Sequence, residues 1–185
     1  MPHIGLTGTN ASGKTSVVKY LRSKGFKCFS LSDIIREELV RRNLQENREN
    51  LFRIGNDLRE QSGPAVLAQK TIEKLTDQYS VIDSIRNVFE ISALKTVPDF
   101  YLVAVDAPVE IRFARAQKRG RNENAPTLQD FINLENAEKS ADKTRQNLDQ
   151  CMDLADYQLF NDGNYEQLLA KIDAILADID AKIKD

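Results

Sequence analysis

Gly8-Thr9-Asn10-Ala11-Ser12-Gly13-Lys14-Thr15 follows the apolar run Ile4-Gly5-Leu6 and opens into Ser16-Val17-Val18-Lys19-Tyr20-Leu21, where Val17, Val18 and Leu21 recur at helical spacing. This is a strand, a glycine turn and a helix in the order that a phosphate cradle requires. Gly8 and Gly13 lack a Cβ, so the backbone can take positive φ and bring several N–H groups onto polyphosphate oxygens. The helix adds its positive end at the same spot. In that arrangement Lys14 reaches the β- and γ-phosphates and the Thr15 hydroxyl ligates Mg²⁺. An ordinary strand-to-helix turn can carry this spacing by chance, but the strand and helix on its flanks argue for the phosphate site. Gly8, Thr9, Asn10, Ala11, Ser12, Gly13, Lys14, Thr15 and Ser16 are therefore the expected binding segment for a nucleoside triphosphate, with Lys14 also serving the transfer.

The chain around this segment has 185 residues, enough for one domain with a substantial core. It is 41% hydrophobic and 29% charged, and its 26 Lys plus Arg nearly balance 28 Asp plus Glu. A net charge of −2 gives no bulk attraction to nucleic acid or to an anionic membrane, so neither is an expected partner and any basic site must be local. Cys28 and Cys151 have no further Cys or His at ligand spacing, which points to two buried thiols in a reducing cytosol rather than a zinc site or a disulfide framework. Met1-Pro2-His3 leads directly into the first strand, and no apolar run reaches membrane-spanning length; a cytoplasmic location is expected. The lone His3 reads as an exposed terminal residue.

Strand-like and helix-like stretches alternate along the chain, which argues for an α/β fold with a parallel sheet covered by helices on both faces. Lys27 to Leu31 reads as a second strand, with Ser32 capping a helix from Asp33 to about Arg42. Two more helical stretches, Glu49 to Gln61 and Ala65 to Thr76, interrupt the alternation and suggest a cap beside the sheet, about residues 33–77. Tyr79 to Asp83 and the almost continuously apolar Phe100 to Asp106 are the third and fourth strands. A helix from Val109 to Lys118 has Pro108 at its start, where the missing N–H does no harm. The breaker-rich run Arg119 to Pro126 and a charged helix from Thr127 to about Ser140 read as a lid, about residues 119–145. Tyr157 to Phe160 is a fifth strand, and Tyr165 to Lys184 an amphipathic closing helix that either covers the sheet or pairs with a second subunit.

In open α/β sheets ligands bind beyond the carboxyl ends of the strands, so the residues there carry the chemistry. Asp83 is placed either to hold Mg²⁺ or one of its waters, or to cap the next helix. Arg86, three residues on, suits an anionic acceptor with its planar fork. Asp33 either orients or deprotonates an acceptor hydroxyl or is a favourable first-turn charge; Arg36, one turn later, can hold an acceptor phosphate, and Arg59 is a weaker candidate for the same task. Arg112, Arg115, Arg119 and Arg121 crowd one helix and its end. Arg115 and Arg119, four apart on one face, are the expected catalytic cations, with Arg121 next, because phosphoryl transfer spreads negative charge over equatorial oxygens.

With these residues in view, the chain resembles the nucleoside monophosphate kinase and dephospho-coenzyme A kinase group of P-loop proteins. It is most similar to the adenylate-kinase-related, dephospho-coenzyme-A-kinase-like family of archaea and bacteria. The resemblance runs from Ile4-Gly5-Leu6-Thr7-Gly8 through Ser30-Leu31-Ser32-Asp33, Leu58-Arg59-Glu60, Ile82-Asp83-Ser84-Ile85-Arg86-Asn87 and Val105-Asp106-Ala107-Pro108 to Asn161-Asp162-Gly163. It implies a P-loop NTPase three-layer α/β/α sandwich with a five-stranded parallel sheet, the P-loop strand central, ATP and Mg²⁺ on the donor side, and an arginine-bearing lid. It also implies that Asn161, Asp162 and Gly163 lie beside the adenine. Two departures concern the acceptor: Asp83-Ser84-Ile85-Arg86 lacks the proline of the adenylate kinase Asp-Gly-x-Pro-Arg and is one residue shorter, and Leu31-Ser32-Asp33 keeps one carboxylate where dephospho-coenzyme A kinases carry Asp-x-Asp. The leading expectation is a nucleotide kinase acting on a nucleoside monophosphate through Arg36, Arg59 and Arg86, as a monomer or homodimer. The alternatives are phosphorylation of a ribose hydroxyl with Asp33 as base, and a nucleotide-binding regulatory module with little turnover.

Overall fold

The computed structural model describes residues 1–76, 78–120, 125–138 and 147–184. Its strands are β1 (His3–Thr7), β2 (Lys27–Ser30), β3 (Ser80–Asp83), β4 (Phe100–Asp106) and β5 (Tyr157–Phe160). They form one sheet in the order β2-β3-β1-β4-β5, and every neighbouring pair is parallel. The P-loop strand β1 is central and buried along its whole length, as a strand covered on both faces must be. Its register, Gly5 opposite Ile82 and Leu6 opposite Val103, brings the carboxyl ends of β1, β3 and β4 level.

The helices are α1 (Lys14–Ser23), α2 (Leu31–Arg41), α3 (Arg48–Ser62), α4 (Val66–Ile72), α5 (Val88–Leu94), α6 (Val109–Lys118), α7 (Leu128–Glu138), α8 (Leu148–Asp153) and α9 (Tyr165–Lys184). Successive strand side chains point to opposite faces, and the two cores divide accordingly. Val81 and Val103 join Val17 and Leu21 of α1 and Leu168, Ile172 and Ile179 of α9 on one face. Ile82 and Leu102 join Ile34, Ile54, Leu67 and Ile91 of α2 to α5 on the other. The result is the expected three-layer sandwich. Each fully buried Leu or Ile contributes about 1.5–3 kcal/mol. The amphipathic α9 covers the sheet, and α2 to α4, expected as a cap beside it, share a core with β3 and β4.

Several local readings are corrected. The cap of α2 is Ser30, whose Oγ accepts the Ser32 N–H at 3.3 Å, so the helix begins two residues early. Helices α5 and α8 had no counterpart in the sequence reading; their caps are Asn87 and Asn147, whose side chains accept the Phe89 and Gln150 N–H groups at 2.8 and 3.3 Å. His3 is buried, with Nδ1 2.6 Å from Ser80 Oγ, because β1 starts at His3 and its ring enters the sheet. Both cysteines are free; Cys151 is buried, and burial pushes its thiol up to about 12, while Cys28 is half-buried. No helix among the described residues is long and apolar enough to cross a membrane.

One ion pair lies inside the second core. Arg59 on α3 donates through Nη2 to Glu90 Oε1 on α5 at 2.9 Å, with side-chain exposures of 8% and 0%. Burial raises the Glu90 pKa against the opposing pull of Arg59 and of the Arg86 N–H. Truncating one partner strands the other charge in the core, so Arg59→Ala should lower stability by about 3–5 kcal/mol, read as a fall in urea midpoint at unchanged slope. The raised pKa means that the native state holds the Glu90 proton more tightly than the unfolded chain. That contribution is complete below the ordinary carboxylate range and is lost as pH rises through the raised value, so the variant should recover part of its deficit on acidification to about pH 5. A loss under about 1 kcal/mol, flat with pH, would mean that the pair is not desolvated.

Candidate active site

The P-loop leans its bare backbone on the neighbouring strands. Gly8 has φ +134°, and a Cβ there would stand 2.0 Å from the Val105 carbonyl oxygen. Gly13 has φ +115°, and a Cβ there would stand 2.3 Å from Asn161 Nδ2. Both positions therefore demand glycine for space as well as for dihedral angle. Lys14 Nζ folds over the loop and donates to the Gly8 and Thr9 carbonyls at 2.7 Å each. Thr9 Oγ1 donates to Asp106 Oδ1 at 2.5 Å. No side chain caps α1; the Ser16 N–H turns back to the Gly13 carbonyl at 2.8 Å, and the N–H groups of Lys14 and Thr15 are the ones of the first turn left for a ligand. Burial lowers the Lys14 pKa to about 8; Arg86 and Arg112 add to the shift, and Asp83 and Asp106 oppose it. The ammonium thus sits among two carboxylates and two guanidiniums, at the level strand ends.

Asp83 closes β3, and its Oδ1 accepts the Ser84 N–H at 2.7 Å. It does not cap α5, a task that falls to Asn87. Ser84 takes φ +68°, and its Oγ meets that of Ser30 at 3.1 Å. Ile85 donates its N–H to the Leu6 carbonyl at 3.3 Å and accepts Thr7 Oγ1 at 2.9 Å. Arg86 donates its N–H to Glu90 Oε2 at 3.0 Å, and its carbonyl accepts the Asn147 N–H at 2.9 Å. The loop that carries Asp83 and Arg86 is fastened at every step.

Across the cleft, Asp33 lies exposed in the first turn of α2, where Arg36 Nη1 reaches it at 2.8 Å; Arg36 Nε reaches Glu46 at 2.9 Å. Arg59 differs from the expectation of an acceptor ligand: its guanidinium is buried against Glu90, and its Nε has no hydrogen-bond partner.

On the lid side, the arginines of α6 have separate fates. Arg112 is buried. It donates through Nε to the Ala107 carbonyl at 2.9 Å and through Nη1 to the Asn10 carbonyl at 3.5 Å, pairs with Glu135 of α7, and lies 5.7 Å from the Phe131 ring. Arg115 spans the Ser12 and Asn161 carbonyls at 3.3 Å each; burial and the nearby Arg119 lower its pKa. Arg119 is exposed just past the end of α6. Arg121 lies outside the described residues, as does part of the expected lid. Helix α7 packs Phe131 against Ala116 and Ala11 of the loop. Asn161 is buried and donates through Nδ2 to the Ser12 carbonyl at 2.7 Å, whereas Asp162 pairs with Lys171 at 2.9 Å and Gly163 is exposed. The sequence reading missed Arg112, Asp106 and the Asn161 side chain as supports of the loop. For Asp106 a signal existed, a carboxylate closing a buried strand.

The residues present fit a polyphosphate with a hard divalent cation. The glycine cradle leaves backbone exposed, Lys14 supplies charge, and the Thr15 hydroxyl and the Asp83 carboxylate are oxygen donors. Among the described residues no three His, Cys, Asp or Glu side chains gather as a metal cluster. A cleft of about 500 Å³ at the opposite end of the sheet, lined by Met1, His3, Ile72 and Asp99, offers no such convergence, since the Met1 ammonium already pairs with Asp99 at 3.0 Å.

Known proteins agree with this geometry. The UPF0200 protein of Thermococcus kodakarensis is 31% identical over 186 residues, covering 96% of this chain and 98% of that protein. The UPF0200/UPF0201 protein of Archaeoglobus fulgidus is 31% identical over 183 residues, but this chain spans only 55% of its length. Among solved structures, TT1252 from Thermus thermophilus matches with TM-score 0.60 at 23% identity over 96% of this chain and 97% of its own. Shikimate kinase from Acinetobacter baumannii, in complex with shikimate, matches with TM-score 0.59 at 16% identity over 96% and 94%. A gluconokinase from Sinorhizobium meliloti matches with TM-score 0.56 at 12% identity over 99% and 95%. At these identities the likeness shows the fold, that of the P-loop kinases. Residues 4–146 match the AAA domain family, and with the near full-length Thermococcus match they establish that this chain belongs to the AAA domain family and to the UPF0200 proteins.

Proposed function

We propose that this chain is a small-molecule kinase that moves the γ-phosphoryl group of ATP to an acceptor held between α2 and the Arg86 loop. The observation that carries this reading is the position of Lys14, gathered with Asp83, Asp106, Arg86 and Arg112 at the mouth of a ligand-ready P-loop. The loop amides and Lys14 bind the phosphate chain. Thr15 and Asp83 would hold Mg²⁺, which would supply charge neutralisation on the phosphates. Arg86 holds the acceptor or the transferred group from the β3 side, and Arg119 from the end of α6. Arg115 joins them only by leaving the Ser12 and Asn161 carbonyls. Asn161 backs the loop, and the turn that it opens borders the adenine.

The favoured acceptor is a nucleoside monophosphate, gripped by Arg86 and Arg36. It is anionic near neutral pH and needs no general base, so positioning dominates. A second reading has its own support. Arg36 is already offset by Asp33 and Glu46, which weakens its hold on a phosphate and leaves an exposed carboxylate at the cap, suited to orient a hydroxyl. The adenylate-kinase-related, dephospho-coenzyme-A-kinase-like resemblance accommodates both acceptors.

Lys14→Ala should abolish turnover and cut ATP affinity at least about tenfold, since it removes a charge-assisted phosphate contact. Retained affinity and rate would overturn the proposal. Because burial lowers the Lys14 pKa to about 8 and a bound polyphosphate raises it, binding an ATP analogue at about pH 8.5 should take up at most about three-quarters of a proton, and about none at pH 6.5. Calorimetry in buffers of different ionisation heat reads this uptake, which Lys14→Met should erase. ADP release with each nucleoside monophosphate and then with hydroxyl acceptors, including dephospho-coenzyme A, decides the acceptor. Arg86→Ala should raise acceptor KM or depress kcat in either case. Asp33→Asn should be nearly silent for a phosphate acceptor and cost about a hundredfold or more for a hydroxyl.

A further inference from the structure

Glu90 is a fully buried carboxylate that the phosphoryl-transfer reading leaves without a task. It lies on α5, away from the P-loop, yet one of its oxygens holds the Arg86 loop and the other holds α3, which packs behind α2. Oε2 takes the Arg86 N–H at 3.0 Å, and Oε1 takes Arg59 Nη2 of α3 at 2.9 Å. We propose that Glu90 is a positioning residue that locks the Arg86 loop to α3, the helix packed behind α2, so that one carboxylate sets the distance between the two walls of the acceptor site.

The surrounding geometry supports this assignment over a purely space-filling one. A carboxylate alone in an apolar core is costly, and an apolar residue of similar volume fills the same space at lower cost. Here both oxygens are used, and the Arg86 carbonyl is fixed separately by the Asn147 N–H at 2.9 Å. The backbone of Arg86 is thus held from both sides, which fixes the point from which its side chain departs. Arg59 packs where Gly55 leaves room, since a Cβ at Gly55 would lie 3.3 Å from its Nη1. Its fork therefore has a defined seat on α3, and the pair acts as a strut between the two elements. Short, buried supports of this kind set how accurately a functional side chain is aimed.

This inference rests on the kinase reading for its activity readout but not for its structural one. Glu90→Gln keeps the volume and one acceptor oxygen while removing the charge. Hydrogen exchange on the whole protein should show the Arg86 amide and α3 exchanging about tenfold faster or more, with the P-loop amides unchanged. With an acceptor that supports turnover, acceptor KM should rise about tenfold while ATP KM stays within about twofold. Arg59→Lys keeps a cation near Glu90 without the fork, so it should loosen α3 and raise acceptor KM while the Arg86 amide stays protected. If Glu90→Gln does not fold, Arg59→Lys decides alone. Unchanged exchange at Arg86 in Glu90→Gln, or at α3 in Arg59→Lys, would overturn the inference, as would an acceptor KM that does not move. If no acceptor stimulates ADP formation, the kinase reading fails and the exchange data still decide this one.

Discussion

The constraint on which the rest depends is the contact of bare backbone at the carboxyl end of β1. A glycine at position 8 lets the P-loop lie against the Val105 carbonyl of β4, and a glycine at position 13 lets the start of α1 lie against Asn161 beyond β5. Both contacts lie on the β4–β5 side of β1, while β3 pairs on its other side. The same adjacency stations Asp83 and Asp106 on either side of Lys14. The charge pattern of the site is thus a consequence of strand order: any apolar parallel strand must stop somewhere, and these two stop in carboxylates beside the lysine.

Collecting so many charges in little water calls for compensation, and the structure shows where it comes from. Asp106 is matched by the Thr9 hydroxyl and lies 3.8 Å from Arg112, whose remaining donors go to two backbone carbonyls and Glu135. Glu90 is matched by Arg59 and a backbone amide. Lys14 is different. It leans on carbonyls, which are weaker partners than a carboxylate, and its lowered pKa records an ammonium left under-compensated by burial. An under-compensated cation at the mouth of an amide-lined loop is what a polyphosphate restores, whereas Asp106, Glu90, Arg59 and Arg112 are already spent on one another and on holding the walls.

Much of this was legible in the sequence, for identifiable reasons. β4, α6, β5 and α9 have the bounds read from pattern alone, because each combines an unbroken apolar run or a long helical stripe with a clear breaker. The P-loop was legible because glycine spacing reports backbone geometry directly. The short helices α5 and α8 were not, since seven and six residues give too few turns for a stripe to declare itself, and each forms because tertiary packing holds it. His3 misled because a terminal position says nothing about strand pairing 77 residues away. Arg59 reads from sequence as a candidate acceptor ligand because its partner sits 31 residues on, in one of those unseen helices.

The three described arginines of the α6 stripe carry the same lesson into the site itself. Arg112, Arg115 and Arg119 stand at i, i+3 and i+7, so they share one face, and from sequence they are equivalent. The fold grades them: the first is buried and spent on four partners, the second is half-buried on two carbonyls, and the third is exposed. The grading follows position along the helix: Arg112 lies in its first turns, close after β4, and Arg119 stands past its last residue. Moving Arg112 would strand Glu135 and the Asn10 carbonyl together, a cost of several hydrogen bonds, each worth about 1 kcal/mol or more when a charge is involved. Arg119 gives up only water. A helix of this kind sorts identical side chains into fixed supports at its root and a movable cation at its tip, and it is the tip that can follow a phosphoryl group as its charge develops.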